Sequence, residues 1–506
     1  MNEPTRILLI DANTSWLAST NGDKGAAQVV LPLGLMYLSA AAKKALGSSV
    51  DVKLINTAVD CLDARQLEEE VRDFAPHVVG FRALTVAREF FHELVRTVRR
   101  IVPGATLVAG GPHATGHPQE VLRETTIDYV IVGEGERSFV ELLEHLRGRR
   151  PIDQVAGLHF RRGRRIAQTA PQPFIEDLDS LPLPDYDLLD QEKYASVLSY
   201  GYTIRKQGVI LSSRGCPLKC KYCFKTMGPK YRPRSVRSVV DEIEYLQHEH
   251  GIRDILFVDD TFNLQPKRVE SIFREIIARG LQCNYYFPAG LRAELMSPEL
   301  VDLMVEAGTI WVTYAVETAV PRLRQLAGRS GNSAKAARII DYTADRRIMV
   351  GLFFMIGFPT ETREEAMATL DFVRERRHVT MPYFFAVKYF PGTELTRLAQ
   401  QLGAIDASAD EARQLPYHDV SKSRTSTLSE DDFQELFTYY MKEILLDGRR
   451  LSFALDVQEQ FLSSDEMAAA YGALLGRKID NPRRVFRHAL ARPEEDEDGQ
   501  IPARAA

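Results

Sequence analysis

Three of the chain's five cysteines fall within eight residues, Cys216-Pro-Leu-Lys-Cys220-Lys-Tyr-Cys223. Thiolates this close along a chain suit a single soft-metal site. Spaced by three residues and then by two, they can ligate three irons of a cubane [4Fe–4S] cluster and leave the fourth iron open to a small molecule. A zinc knuckle is the competing use of such a loop, but zinc needs a fourth protein ligand to close its tetrahedron. The other cysteines, Cys61 and Cys283, sit in no paired motif. Clustered thiols in a chain otherwise poor in cysteine suit a reducing compartment and metal binding, not a disulfide framework.

Such a loop needs a rigid mount, and the sequence offers one. Between residues 206 and 398, strand-like runs at 208–212, 254–258, 283–288, 310–316, 349–356 and 383–389 alternate with helical stretches at 236–249, 267–278, 298–306, 334–344 and 362–375. Six βα units predict a partial (β/α)6 barrel whose strand ends line one mouth. The cysteine loop follows the first of these strands, which puts it at that mouth. Residues 1–148 show the same alternation, with strand-like runs at 6–10, 50–55, 77–81, 105–109 and 129–132. This predicts an α/β, doubly wound, Rossmann-like parallel sheet that binds ligand at the carboxyl ends of its strands. The segments expected there are Asp11-Ala-Asn13-Thr, Phe81-Arg-Ala-Leu-Thr85, Gly110-Gly-Pro-His-Ala-Thr115 and Gly133-Glu-Gly-Glu136.

Residues 149–205 predict a linker: a hairpin around 162–164, then a proline-rich acidic strap at 177–186. Residues 399–492 predict a helical C-terminal region capping the open side of the barrel, with an N-terminal helix signal at Ser429-Glu-Asp-Asp. A basic amphipathic stretch at 483–492 reads either as a solvated last helix or as a contact for an anionic membrane, and 493–506 reads as a disordered tail.

The cysteine run, with Tyr222 as the aromatic before its last cysteine, resembles the CxxxCxΦC signature of the radical S-adenosylmethionine (SAM) superfamily. LPLGL at 31–35, GGPHAT at 110–115 and VGEGE at 132–136 together resemble the cobalamin-binding domain that precedes many radical SAM cores. The combination resembles the class B methyltransferases and the anaerobic Mg-protoporphyrin ester cyclase group. The resemblance implies three cofactors: a [4Fe–4S] cluster on Cys216, Cys220 and Cys223, SAM, and cobalamin. Candidate SAM contacts are Tyr222, Asp259, Asp260, Arg292, Glu317, Gly357 and Pro359. Helix capping is the alternative use of the two aspartates, and an ion pair with Glu294 or Glu317 that of Arg292. Candidate cobalamin contacts are Asn13, Thr85, Gly110, Gly111, His113, Gly133, Glu134 and Gly135. Asn13 stands where the family's DxHxxG motif has its histidine, so cobalamin would bind without histidine on its lower face. A flavodoxin-like domain without a cofactor is the alternative.

The resemblance further implies a cytoplasmic enzyme that passes a SAM-derived methyl group through methylcobalamin to an unactivated carbon, or a phosphorus, of a small-molecule intermediate. Cyclisation or rearrangement without methyl transfer is the alternative, because one architecture serves several reactions. A flavodoxin or ferredoxin is the implied electron donor. A net charge of −5 gives no general attraction to nucleic acid, and no apolar run approaches the length of a membrane span. An RNA methylthiotransferase would carry three more cysteines in its first domain, where this chain has only Cys61. Aromatic residues near the barrel strands, Tyr285, Tyr286, Tyr314, Phe384 and Phe385, are candidates to line the substrate cavity or to fill the core.

Overall fold

The computed structural model describes residues 3–12, 29–61, 63–195, 205–390, 392–405, 425–474 and 478–487. Asn13, Pro391 and the tail 493–506 lie outside the described residues.

Five strands, β1 (Thr5–Ala12), β2 (Val50–Asn56), β3 (Val78–Ala83), β4 (Thr106–Gly110) and β5 (Tyr129–Ile131), form a parallel sheet in the order β2-β1-β3-β4-β5. Ile7, Leu8, Leu9 and Ile10 are all fully buried, as expected where helices cover both faces of a parallel sheet. Helices Leu33–Leu46 and Gly135–Leu146 pack on one face, and Ala64–Phe74 and Arg88–Ile101 on the other. The hairpin expected in the linker joins this sheet instead. Its strands β6 (Leu158–Arg162) and β7 (Arg165–Gln168) add antiparallel beyond β5, because the β5 edge offers unpaired backbone groups within reach of a short connection.

The acidic strap then crosses to the second domain. Asp185 accepts hydrogen bonds from Ser39 (2.6 Å) and pairs with Lys43 (2.6 Å), both on helix Leu33–Leu46. Its neighbour Tyr186 reaches the outermost strand of the second sheet, where the phenol donates to the carbonyl of Val209 (3.1 Å) and accepts from its N–H (2.9 Å).

The second sheet begins with β8 (Gln207–Ile210). A two-residue ladder of β9 (Ser213–Arg214) and β10 (Arg232–Pro233) follows, then β11 (Asp254–Phe257), β12 (Asn284–Leu291), β13 (Thr309–Glu317), β14 (Met349–Ile356) and β15 (Met381–Ala386). The order β8-β11-β12-β13-β14-β15 is parallel throughout, so the six carboxyl ends share one rim of a partial barrel.

Helix Glu430–Tyr439 starts with a reciprocal capping box between Ser429 and Asp432. The segment after it closes over β14 and β15. Tyr440 donates to the Pro382 carbonyl (2.6 Å) and packs its ring 5.3 Å from that of Phe384. Arg450 is buried and donates to the carbonyls of Val373 (2.8 Å), Arg376 (2.9 Å) and Val379 (2.9 Å), which satisfies the exposed end of helix Arg363–Glu375. At the start of the basic stretch, Arg483 pairs with Asp456 and Glu459. Among the described residues, no helix is long and apolar enough to cross a membrane.

Candidate active site

Residues 215–231 form a loop whose base is the β9/β10 ladder, and the cysteines lie on it. Gly215 starts it at φ +80°, and a Cβ there would come within 2.2 Å of the Lys230 carbonyl, so only glycine fits. Its N–H donates to Asp260 (3.0 Å), and the N–H of Cys216 donates to the Gly228 carbonyl (3.2 Å). Further along, Lys221 is pinned at both backbone atoms, its N–H by Ala327 and its carbonyl by Leu395 (2.9 Å each). Gly328 permits this approach, since a Cβ there would lie 2.3 Å from the Lys219 carbonyl.

All three thiols are unpaired. Cys216 lies 3.2 Å from the Thr261 hydroxyl. Cys223 keeps an exposed edge, yet crowding around its sulfur pushes the thiol up to about 12, with Cys220, Asp260 and Cys216 adding to the effect of burial. Ionising such mutually repelling sulfurs requires a cationic core, and an iron–sulfur cluster supplies one. Among the described residues no three His, Cys, Asp or Glu side chains close on a single metal ion. Three thiols on one loop suit three corners of a cubane, whose sulfur ligands stand on separate irons, whereas a structural zinc takes four protein ligands.

The surrounding strand ends carry the candidate SAM contacts, in mixed circumstances. Asp259 is buried with both oxygens engaged, accepting from the Ser212 N–H (3.2 Å) and the hydroxyls of Ser212 (2.7 Å) and Ser213 (2.5 Å). The expected ribose or ammonium contact is therefore corrected to a tie between β8 and β11, and Asp259 caps no helix. Asp260 is exposed at the rim beside the cysteine loop. Glu317 sits at φ +67° after a register shift in β13, where it accepts from the Tyr222 hydroxyl (3.0 Å) and faces Arg329 at 3.5 Å. Burial and the Glu317 charge hold the Tyr222 phenol protonated. Arg292 pairs with Glu294 (3.3 Å) and donates to the Ser330 carbonyl, while Arg324 reaches the other Glu294 oxygen (2.8 Å). Even so, the buried Nη1 of Arg292 has no partner among the described residues. Arg292, Arg324 and Arg329 outnumber Glu294 and Glu317, so this buried group has room for one carboxylate, the charge a SAM carboxylate would bring.

Gly357 (φ +104°) and Phe358 both donate to one oxygen of Glu361, at 2.5 and 2.9 Å, and Tyr389 donates to the Gly357 carbonyl (2.5 Å). Pro359 is buried within the same turn. The ion pair with Glu294 is the alternative use the sequence offered for Arg292. Sequence reasoning missed Arg324 and Arg329, neither of which carries a local motif. Of the proposed aromatic lining, Tyr285, Tyr286, Tyr314 and Phe384 are buried and pack outward: Tyr286 binds Asp254, Tyr314 binds Thr343 and Phe384 meets Phe437. Phe385 is half-buried beside Phe353, which in turn packs against Tyr383. Phe353 faces across the barrel, since a Cβ on Gly290 of β12 would lie 3.4 Å from its ring.

The first domain's strand ends are different in kind. Among the described residues, Gly110 has only the Ile131 carbonyl, at 3.9 Å, near its missing Cβ, and Gly133 (φ +86°) has nothing within 4 Å. Leu84, after β3, is 41% exposed and Val30 is 36% exposed. Backbone bare of side chains beside exposed apolar groups fits a large flat macrocycle such as cobalamin. Thr85 is half-buried next to Leu84, and Gly111 is held under Arg82, whose guanidinium pairs with Asp11 (2.7 Å). Gly135 packs on Leu38.

Two candidate cobalamin contacts are corrected. His113 is 1% exposed and packs among the rings of Phe91 (5.8 Å), His92 (6.2 Å) and His117 (5.5 Å), because the helical turn begun at Gly111 carries it inward. Glu134 turns away from the open edge toward the other domain. It accepts from Arg214 (3.0 Å), Arg232 (2.9 Å) and the Ile175 N–H (2.7 Å).

Comparison with known proteins agrees with this geometry. Residues 210–373 match the radical SAM superfamily and residues 25–143 the B12 binding domain. An uncharacterized methyltransferase of Pyrococcus horikoshii is 32% identical over 372 residues, 73% of this chain and 78% of that protein. The cytidylyl-2-hydroxyethylphosphonate methyltransferase of Streptomyces wedmorensis is 29% identical over 426 residues, covering 74% and 79% of the two chains. In fold, the radical SAM methyltransferase TsrM of Kitasatospora setae superposes with a TM-score of 0.69 at 19% identity, over 96% of this chain and 98% of that one. With two cofactor edges built side by side and a relative this similar along most of its length, the chain belongs to the cobalamin-binding radical SAM family and is an enzyme using a [4Fe–4S] cluster, SAM and cobalamin.

Proposed function

We propose that this enzyme methylates an unactivated carbon of a small-molecule biosynthetic intermediate, using a methyl group that originates on SAM and travels by way of cobalamin. The observation that carries the reading is the pairing of an open glycine edge in one domain with a three-thiol loop in the other, linked through Glu134. When bound, the reduced cluster supplies the electron that cleaves SAM, and cobalamin supplies the methyl carrier.

The chain's own residues bind and orient. Arg292 offers its free Nη1 to the SAM carboxylate, with Arg324 and Arg329 holding the local charge positive. Glu317 and Tyr222 fix the last turn of the cysteine loop against β13. Phe353, Tyr383 and Phe385 give the substrate an apolar wall and keep water from the reacting positions. A small flavodoxin or ferredoxin delivers the electron in the cytoplasm, and no nucleic acid or membrane takes part.

The test is anaerobic reconstitution with iron, sulfide, cobalamin and SAM, reduction by a reduced flavodoxin or ferredoxin in the presence of candidate small-molecule acceptors, and mass spectrometry of the SAM products. S-adenosylhomocysteine together with 5′-deoxyadenosine is the expected result. Formation of 5′-deoxyadenosine alone would replace methyl transfer by rearrangement or by cyclisation, the latter being the chemistry named for the Mg-protoporphyrin IX monomethyl ester cyclase of Cereibacter sphaeroides, 29% identical over 340 residues.

A further inference from the structure

Where the two halves of the enzyme meet, one carboxylate engages both sides of the cysteine loop's base. Arg214 and Arg232 face each other as register partners in the β9/β10 ladder, so they are the two feet of the loop that carries the cysteines. Both donate to Glu134, Arg214 to one oxygen at 3.0 Å and Arg232 to the other at 2.9 Å. Glu136 takes the second Arg214 nitrogen at 2.6 Å, which makes the group a neutral quartet of two arginines and two glutamates. All four side chains are more than nine-tenths buried. Aromatic rings cover the guanidiniums from the sides, Tyr37 over Arg214 at 5.2 Å and Phe174 over Arg232 at 4.9 Å.

Glu134 lies between Gly133 and Gly135. The glycine on its amino side fronts open space at the cobalamin edge, and the one on its carboxyl side packs on Leu38. A displacement of this turn is therefore passed to both feet of the cysteine loop, because a buried, doubly engaged carboxylate has no alternative partner to move to.

We infer that Glu134 is a positioning residue that sets the separation and orientation of cobalamin relative to the iron–sulfur cluster. Arg214 and Arg232 transmit that setting, and Glu136 holds Arg214 in its rotamer. The inference rests on both cofactors being bound, not on the reaction being methyl transfer.

The test uses full-length protein reconstituted anaerobically with cluster and cobalamin, without substrate. The readout is electron-spin relaxation of Co(II) cobalamin, measured with the cluster oxidised and then reduced. Relaxation speeds up when the reduced, paramagnetic cluster is near, and steeply so as the distance shortens. Glu134→Gln presents an amide N–H₂ toward one arginine and should change the enhancement at least twofold while iron and cobalamin contents stay at wild-type levels. Glu134→Asp, which keeps the charge, should restore part of it. If Glu134→Gln does not accumulate with both cofactors, Arg232→Lys is measured in the same way and decides. An unchanged enhancement in a variant that carries both cofactors overturns the inference. An altered enhancement in an enzyme that makes no S-adenosylhomocysteine leaves it standing while the methyl-transfer reading fails.

Discussion

The two sheets present their carboxyl ends to ligands in opposite ways. The first does so by omission: among the described residues Gly110 and Gly133 leave backbone bare, and Leu84, after β3, is an exposed apolar side chain. The second does so by crowding, with the side chains of Glu294, Glu317, Arg292, Arg324 and Arg329 nearly all covered and packed around the cysteine loop. The difference follows from the ligands. A broad, rigid macrocycle needs room and close backbone approach, whereas a small, charged sulfonium amino acid needs fixed charges at fixed distances.

Substitutions separate the two designs. The largest effect should come from Cys220→Ser, which removes one iron ligand: anaerobic reconstitution should give no cluster absorbance and no 5′-deoxyadenosine, while cobalamin uptake by the other half persists. Next comes Gly215→Ala. Steric overlap with the Lys230 carbonyl adds to about 1–3 kcal/mol of backbone strain, so iron content should drop by about tenfold. Gly110→Leu tests the open edge from the other side. It has room in the protein alone, so thermal unfolding of the cofactor-free chain should move by no more than about 0.5 kcal/mol, while cobalamin uptake falls by at least about tenfold.

A further effect, on stability alone and not on either cofactor, is one of pH. Burial pushes the Glu361 carboxyl up from its ordinary 4.5 to about 7, against the two backbone N–H groups that favour its charge. The folded chain thus keeps a proton that the unfolded chain has already lost. Stability should decline as pH rises from about 4.5 to about 7, by about 3 kcal/mol, and level off above. Chemical denaturation across that range should show the slope in the wild type and its absence in Glu361→Gln.

What could be read in advance divides along the same line. Features encoded in a few adjacent residues were legible: the cysteine spacing, the glycine pairs after β4 and the alternation that gives six parallel strands. Features that need two distant segments were not. Glu134 stood among the expected ligand contacts with its glycine neighbours; that its carboxylate turns to Arg214 and Arg232, 80 and 98 residues on, follows only from how the domains pack. His113 failed for a local reason, since the helical turn at Gly111 rotates it onto Phe91. Asp259 failed because two serines between β8 and the cysteine loop, Ser212 and Ser213, reach it first. The buried arginines carry no periodic or motif signal, and charged residues in a sequence read by default as solvated.

The Tyr186 hydroxyl, bonded to both backbone groups of Val209, bears on how the protein avoids self-association. β8 lies at the margin of an open sheet, where a free N–H and carbonyl would template pairing with another chain. One phenol imitates the next strand there, and the tyrosine comes from the connection that joins the domains. Tyr186→Phe would strip that margin, and the expected outcome is concentration-dependent aggregation during refolding rather than a defect in cofactor chemistry.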